Sequence, residues 1–157
     1  MNPRFVDTRF TLGTVYILFI MMAMSARALA EKNLFGNPLE PCCEGVGFYR
    51  NGMCSTGEED HGTHTVCASV TQKFLDFSRS RGNDLQTPHV AYGFKGLKPG
   101  DKWCLCAGRW KEALLAGKEY APPIVPKATN QATLRVVDVD SLLAHDISSS
   151  AGPLSIK

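Results

Sequence analysis

The chain has 157 residues, which at roughly 100–200 residues per domain leaves room for one compact domain and little more. Its 17 Lys and Arg against 15 Asp and Glu give a formal charge of +2, too small a surplus to mark nucleic acid or an anionic membrane surface as a partner. With 44% hydrophobic and 20% charged residues, the composition is that of a globular protein and excludes disorder, collagen-like repeats and coiled coils.

Residues 10–26 carry no charge; Arg4 and Arg9 precede them, and Arg27 and Ala28-Leu29-Ala30 follow. That is the grammar of a secretory signal peptide cut after Ala30. As a helix the run would extend about 25 Å, short of a hydrocarbon core of about 30 Å, so it spans a bilayer only if its flanks snorkel. Two other readings stand beside export. One is a retained anchor, which would be the chain's sole membrane contact. The other is a start codon placed too far upstream, with the protein beginning near Met22 or Met24 and staying in the cytoplasm. Residues 1–30 hold Arg4, Arg9 and Arg27 against Asp7, so the rest is formally neutral. The expected organisation is a targeting segment over 1–30, one globular cysteine-containing domain over 31–147 and a flexible tail over 148–157.

Within the domain, Asn51-Gly52 between short apolar segments predicts a hairpin over 47–54. A polar loop over 57–62 precedes 65–70, whose β-branched residues read as a buried strand. Thr71 is placed to cap a helix over 72–81 that turns Phe74, Leu75 and Phe77 to one side, with Gly82-Asn83 as a left-handed stop. Pro88, Gly93, Gly96, Pro99 and Gly100 make 83–101 a long set of turns. Trp103, Ala107, Trp110 and Leu114 fall on one helical stripe, but Gly108 disfavours a helix interior. The preferred reading is therefore a strand to Cys106, then a helix over 109–116 stopped by Gly117. Residues 122–126 are extended, 133–139 read as a strand, and Asp140 caps a short helix over 141–145. Mixed strands and helices without a βαβ rhythm give an α+β class: a single small domain, its mixed or antiparallel sheet packed against two or three helices.

All six cysteines, Cys42, Cys43, Cys54, Cys67, Cys104 and Cys106, lie in this domain. Their density is below that of disulfide scaffolds, though an exported chain could form up to three bridges of undetermined pairing, with the adjacent Cys42 and Cys43 poor partners for each other. A metal reading gathers Cys54, His64, Cys67, Cys104 and Cys106 around zinc, which favours sulfur and imidazole ligands; no Cys-x-x-Cys pair supports it. A catalytic reading makes Cys106 or Cys67 a nucleophile with His64 as base. Cys106 is placed before a helix whose N-terminal amides, with the Arg109 guanidinium, would favour a thiolate. Asp60 and His61 share the loop with His64 and are placed to bind a metal or move a proton, although polar loop residues more often make turn hydrogen bonds.

Several segments together, NLFGNPLEPC at 33–42, GFYRNG at 47–52, HTVCA at 64–68, RGNDL at 81–85 and GLKPGDKWCLC at 96–106 followed by Arg109-Trp110, resemble the uncharacterised, mostly bacterial family called domain of unknown function 2237. The resemblance covers roughly 33–145 and implies a single small domain, with no activity, cofactor or catalytic residue attached. It also implies cysteines that usually sit in a reducing compartment, since family members typically lack an export segment. Cys43 stands where the family pattern more often has Ser. The leading expectation is a zinc-binding or redox-responsive thiol site. A cysteine-dependent enzyme and a disulfide-stabilised structural or interaction module are the alternatives, and substrate and partner are not legible.

Overall fold

The structure is a computed structural model describing residues 30–148; the predicted leader up to residue 29, and the predicted tail from residue 149, lie outside the described residues. Val66–Ser69 (β1) and Lys102–Leu105 (β2) pair antiparallel, with Val66 opposite Leu105 and Cys67 opposite Cys104. Side chains alternate across a strand. This register therefore sends Val66, Ala68 and Leu105 into the main apolar core and Cys67 and Cys104 into a second buried cluster.

The other edge of β1 is covered by the extended segment predicted over 122–126. Ser69 donates its N–H to Pro123 O (2.9 Å), and Val125 donates to Cys67 O (2.8 Å). A single ladder bridge joins Ala68 to Ile124, and a parallel one joins Ile124 to Asp146. Three helices complete the domain, which is α+β as the sequence pattern indicates. None of the described helices is long and apolar enough to cross a membrane.

Gln72–Ser80 (α1) begins where Thr71 accepts the Phe74 N–H on its hydroxyl (3.2 Å), and Gly82 at φ +79° follows its end. Ala107–Ala116 (α2) starts two residues earlier than expected, with Cys106 as its N-cap and Gly117 at its end. Gly108 in the first turn costs about 1 kcal/mol relative to Ala, but burial of Ala107, Trp110 and Ala113 on the core face outweighs it. Trp110 is completely buried and donates its indole N–H to Pro122 O (3.0 Å), tying α2 to the extended segment.

Two expected elements differ. The stretch read as a strand over 133–139 is instead a 3-10 turn, Gln131–Arg135, capped by the Asn130 side chain, and then Val139–Leu143 (α3), capped by Asp138 rather than Asp140. Tertiary context overrides the β-branched composition here: Thr133 is buried and donates its hydroxyl to Thr65 Oγ1 (2.8 Å). The predicted hairpin over 47–54 is a closed loop without a ladder. Gly52 takes the positive φ expected of it, but Arg50 rather than Asn51 joins it at φ 56°, and the loop is shut by Gly52 N–H to Val46 O (3.0 Å) and Arg50 N–H to Gly47 O (3.2 Å).

Candidate functional site

The polar loop before β1 is wound so that one carboxylate lies under one imidazole. Asp60 N–H donates to Gly57 O (3.1 Å) and Thr63 N–H to Asp60 O (3.0 Å). The Asp60 side chain is fully buried and accepts on Oδ2 from His64 N–H (2.7 Å) and the Thr56 hydroxyl (3.1 Å). Its Oδ1 lies 2.5 Å from His64 Nδ1. With Nδ1 held by the carboxylate, Nε2 is the ring nitrogen left for another partner.

Cys106 is the neighbour with the largest influence on His64, which its sulfur pushes up to about 9; burial opposes the rise and Asp60 adds to it. For Asp60, burial is the largest single influence and works against ionisation. The hydrogen bonds from the His64 ring and backbone, with that from Thr56, nevertheless hold its carboxyl below the usual carboxylate range.

The backbone explains why these groups meet. Thr63 O accepts the N–H of Ala107 (2.9 Å), the first residue of α2, as well as that of Thr65 (2.8 Å). The loop is thereby fastened to the helix start, which sets His64 beside Cys106. Thr63 adopts φ 51°, a conformation rare for a β-branched residue and commonly found where a neighbouring group is being positioned. Gly62 leaves room for the ring, because a Cβ there would fall 2.5 Å from His64 Cε1. Phe48 stacks on the imidazole with centroids 5.9 Å apart.

Cys106 is half-buried and its side chain makes no capping bond. Among the described residues no acceptor meets the N–H groups of Gly108 and Arg109 in the first turn of α2, an end where negative charge is favoured. The Arg109 guanidinium does not serve the sulfur as expected. It reaches Glu112 Oε2 (3.0 Å) and Arg81 O (3.4 Å) instead, so the cationic neighbour of Cys106 is His64.

A cleft of about 430 Å³ opens beside His64, walled by Phe48, Arg50, His89, Phe94 and Trp103 among others. The volume is that of a small-molecule site. Arg50 holds its guanidinium 5.0 Å above the Trp103 ring.

The five residues predicted as one ligand set divide between two places. Cys54 is bonded to Cys104 and Cys67 to Cys42, inside the buried cluster that Val46 and Ala128 complete. Cys106 and His64 form the thiol–imidazole pair. Cys67, the second candidate nucleophile, has no free thiol in this structure. The adjacent Cys42 and Cys43 are not joined, and the Cys43 thiol donates to Lys102 O (3.3 Å). Sequence reasoning left two contributors out of its site: Asp60 as the partner of His64, signalled by a four-residue spacing within a Gly-punctuated loop, and Cys42 as a member of the sulfur cluster, which no spacing signalled.

These features define a small α+β domain with two buried disulfides and a thiol–imidazole–carboxylate set at a helix start. Residues 32–146 match the family described as uncharacterized protein conserved in bacteria (DUF2237), and the chain belongs to it. No curated protein matches the chain.

Proposed function

We propose that the domain is a cysteine-dependent enzyme of the acyl-transfer class, with Cys106 as nucleophile, His64 as its base and Asp60 as the positioning residue that holds the imidazole. One observation carries this reading: a buried carboxylate bonds Nδ1 of a histidine whose other neighbour is a free cysteine at a helix N-terminus. Nucleophile, base and orienting group in that order are what covalent catalysis by a thiol requires.

In the first step the Cys106 sulfur, its proton already carried on the His64 imidazolium, bonds to the substrate carbonyl carbon. The leaving group departs with the proton from His64, which leaves a thioester. Water, losing a proton to the same imidazole, then cleaves that thioester and restores the thiol. The Gly108 and Arg109 amides support the reading as donors for the developing oxyanion. Beside His64, the aromatic walls of the cleft and the Arg50 guanidinium suit a small molecule with an apolar body and a carboxylate. The two bridges support export through the leader, because disulfides persist in oxidising compartments.

The test uses p-nitrophenyl acetate as probe. We expect an acetyl group on Cys106, continuing nitrophenolate release, loss of both in Cys106→Ser, and a turnover reduced about hundredfold or more in His64→Ala, the usual contribution of a general base. Acetylation shared equally with Cys43, or turnover unchanged in His64→Ala, contradicts the assignment.

A further inference from the structure

The two disulfides are not independent staples. The sulfur of Cys42 lies within 4.8 Å of the sulfurs of Cys54 and Cys104, to neither of which it is bonded, and all three residues are buried. Cys67 is bonded to Cys42 and packs in the same buried cluster. We infer that, once both bridges are reduced, Cys42, Cys54, Cys67 and Cys104 become a tetrahedral zinc site.

The chemistry of the donors points to this occupant. Four thiolates in tetrahedral array are the preferred environment of structural zinc, and at about 2.3 Å from the metal they stand about 3.8 Å apart. Cys42, Cys54 and Cys104 already hold their sulfurs within 4.8 Å of one another, and the Cys67 sulfur, freed from Cys42, joins them as the fourth ligand.

The scaffold is also of the right kind. Cys67 and Cys104 are direct cross-strand partners of the β1–β2 ladder. Cys42 and Cys54 flank a loop held shut by the Cys42 N–H bond to Gly52 O (2.9 Å), while the Asn130 side chain donates to Cys54 O (3.2 Å). Two ligands thus come from a sheet and two from a loop, and hydrogen bonds brace both in addition to the bridges. Gly47, at φ +89°, lets the loop close beside this pocket, because a Cβ there would collide with the Met53 carbonyl oxygen.

The conversion balances as follows. Each bridge takes two electrons and two protons from a dithiol reductant, which is oxidised to its own disulfide. One zinc ion then displaces the four thiol protons. The domain therefore has two closed forms, bridged in oxidising surroundings and metal-bound in reducing ones. The site is distinct from the Cys106–His64 pair, which supplies no ligand.

The experiment treats the full chain with excess dithiol, adds zinc, desalts it and measures bound metal. It then labels exposed thiols with iodoacetamide and maps them by peptide mass spectrometry. We expect one zinc per reduced chain and none per oxidised chain, with Cys42, Cys54, Cys67 and Cys104 protected and Cys43 and Cys106 labelled. Cobalt in place of zinc should give the intense visible bands of a tetrahedral thiolate site. Cys42→Ser should lose the metal on desalting, whereas Cys43→Ser retains it. The protection map on the unaltered chain stands even if Cys42→Ser fails to fold. A reduced chain that takes up no zinc overturns the inference, as does a protected set that includes Cys106 or omits any of the four.

Discussion

Replacing Cys54 and Cys104 together by Ala opens a bridge between residues 50 apart in sequence. The chain-entropy relation gives about 4 kcal/mol at 25 °C for a loop of that length, and about 3.5 kcal/mol for the 25-residue separation of Cys42 and Cys67. The dependence is logarithmic, so halving the loop changes the stabilisation by only about 0.6 kcal/mol. Residues 54–67 lie inside both loops, so each bridge shortens the loop the other closes, and removing both is expected to cost slightly more than the sum of the single removals. Against a domain stability of about 5–15 kcal/mol, either variant alone should remain folded. Urea unfolding in metal-free buffer, followed by Trp103 and Trp110 fluorescence and extrapolated to zero denaturant, measures each loss. The two bridges should cost nearly the same, about 3–4 kcal/mol each. A loss below about 1 kcal/mol for either, with an unchanged denaturant slope, would refute the claim that the bridges act by constraining the unfolded chain.

The His64–Asp60–Cys106 set should show in the pH dependence of stability. Because His64 is raised from 6.5 to about 9, its contribution is complete below about pH 6.5 and is lost as pH rises through 9. Asp60 is lowered from 3.8, so its share is present above that value and lost as pH falls through its depressed folded value. The stability excess of the native chain over His64→Gln, read from urea midpoints, should be flat from about pH 4 to 6.5 and gone above 9; an excess that grows between pH 7 and 9 contradicts this. Gly62→Ala should displace the imidazole and slow Cys106 modification while leaving far-UV circular dichroism unchanged. Thr71→Ala should cost about 1 kcal/mol through loss of the α1 cap, and Trp110→Ala about 3–5 kcal/mol through the cavity it leaves, both measured by urea unfolding.

Local chemistry made much of this fold readable. Thr71 and Gly82 mark the ends of α1 because capping and left-handed termination act over a few residues. Valines and threonines over 133–139 misled because their burial against Thr65 is a tertiary event, and the Asn130 and Asp138 caps that favour helical turns there were not weighed. Cys106 before a helix was legible from spacing. The grouping of Cys42 with Cys54 and Cys104 was not, since it depends on a loop closed by backbone hydrogen bonds across residues 42–52. Arg109 was a reasonable cation for the sulfur until Glu112, one helical turn away, claimed it.

The central claim is that His64 and the start of α2 make Cys106 the chain's nucleophile, and Cys43 in the same molecule supplies the comparison. Burial raises the Cys43 thiol above its ordinary value, whereas Cys106 sits beside an imidazole held by a carboxylate. Brief treatment of the bridged chain with iodoacetamide at neutral pH, read out by peptide mass spectrometry, should label Cys106 faster than Cys43 by about tenfold or more, with the advantage lost in His64→Ala. Equal labelling of the two, or an advantage that survives His64→Ala, would contradict the account.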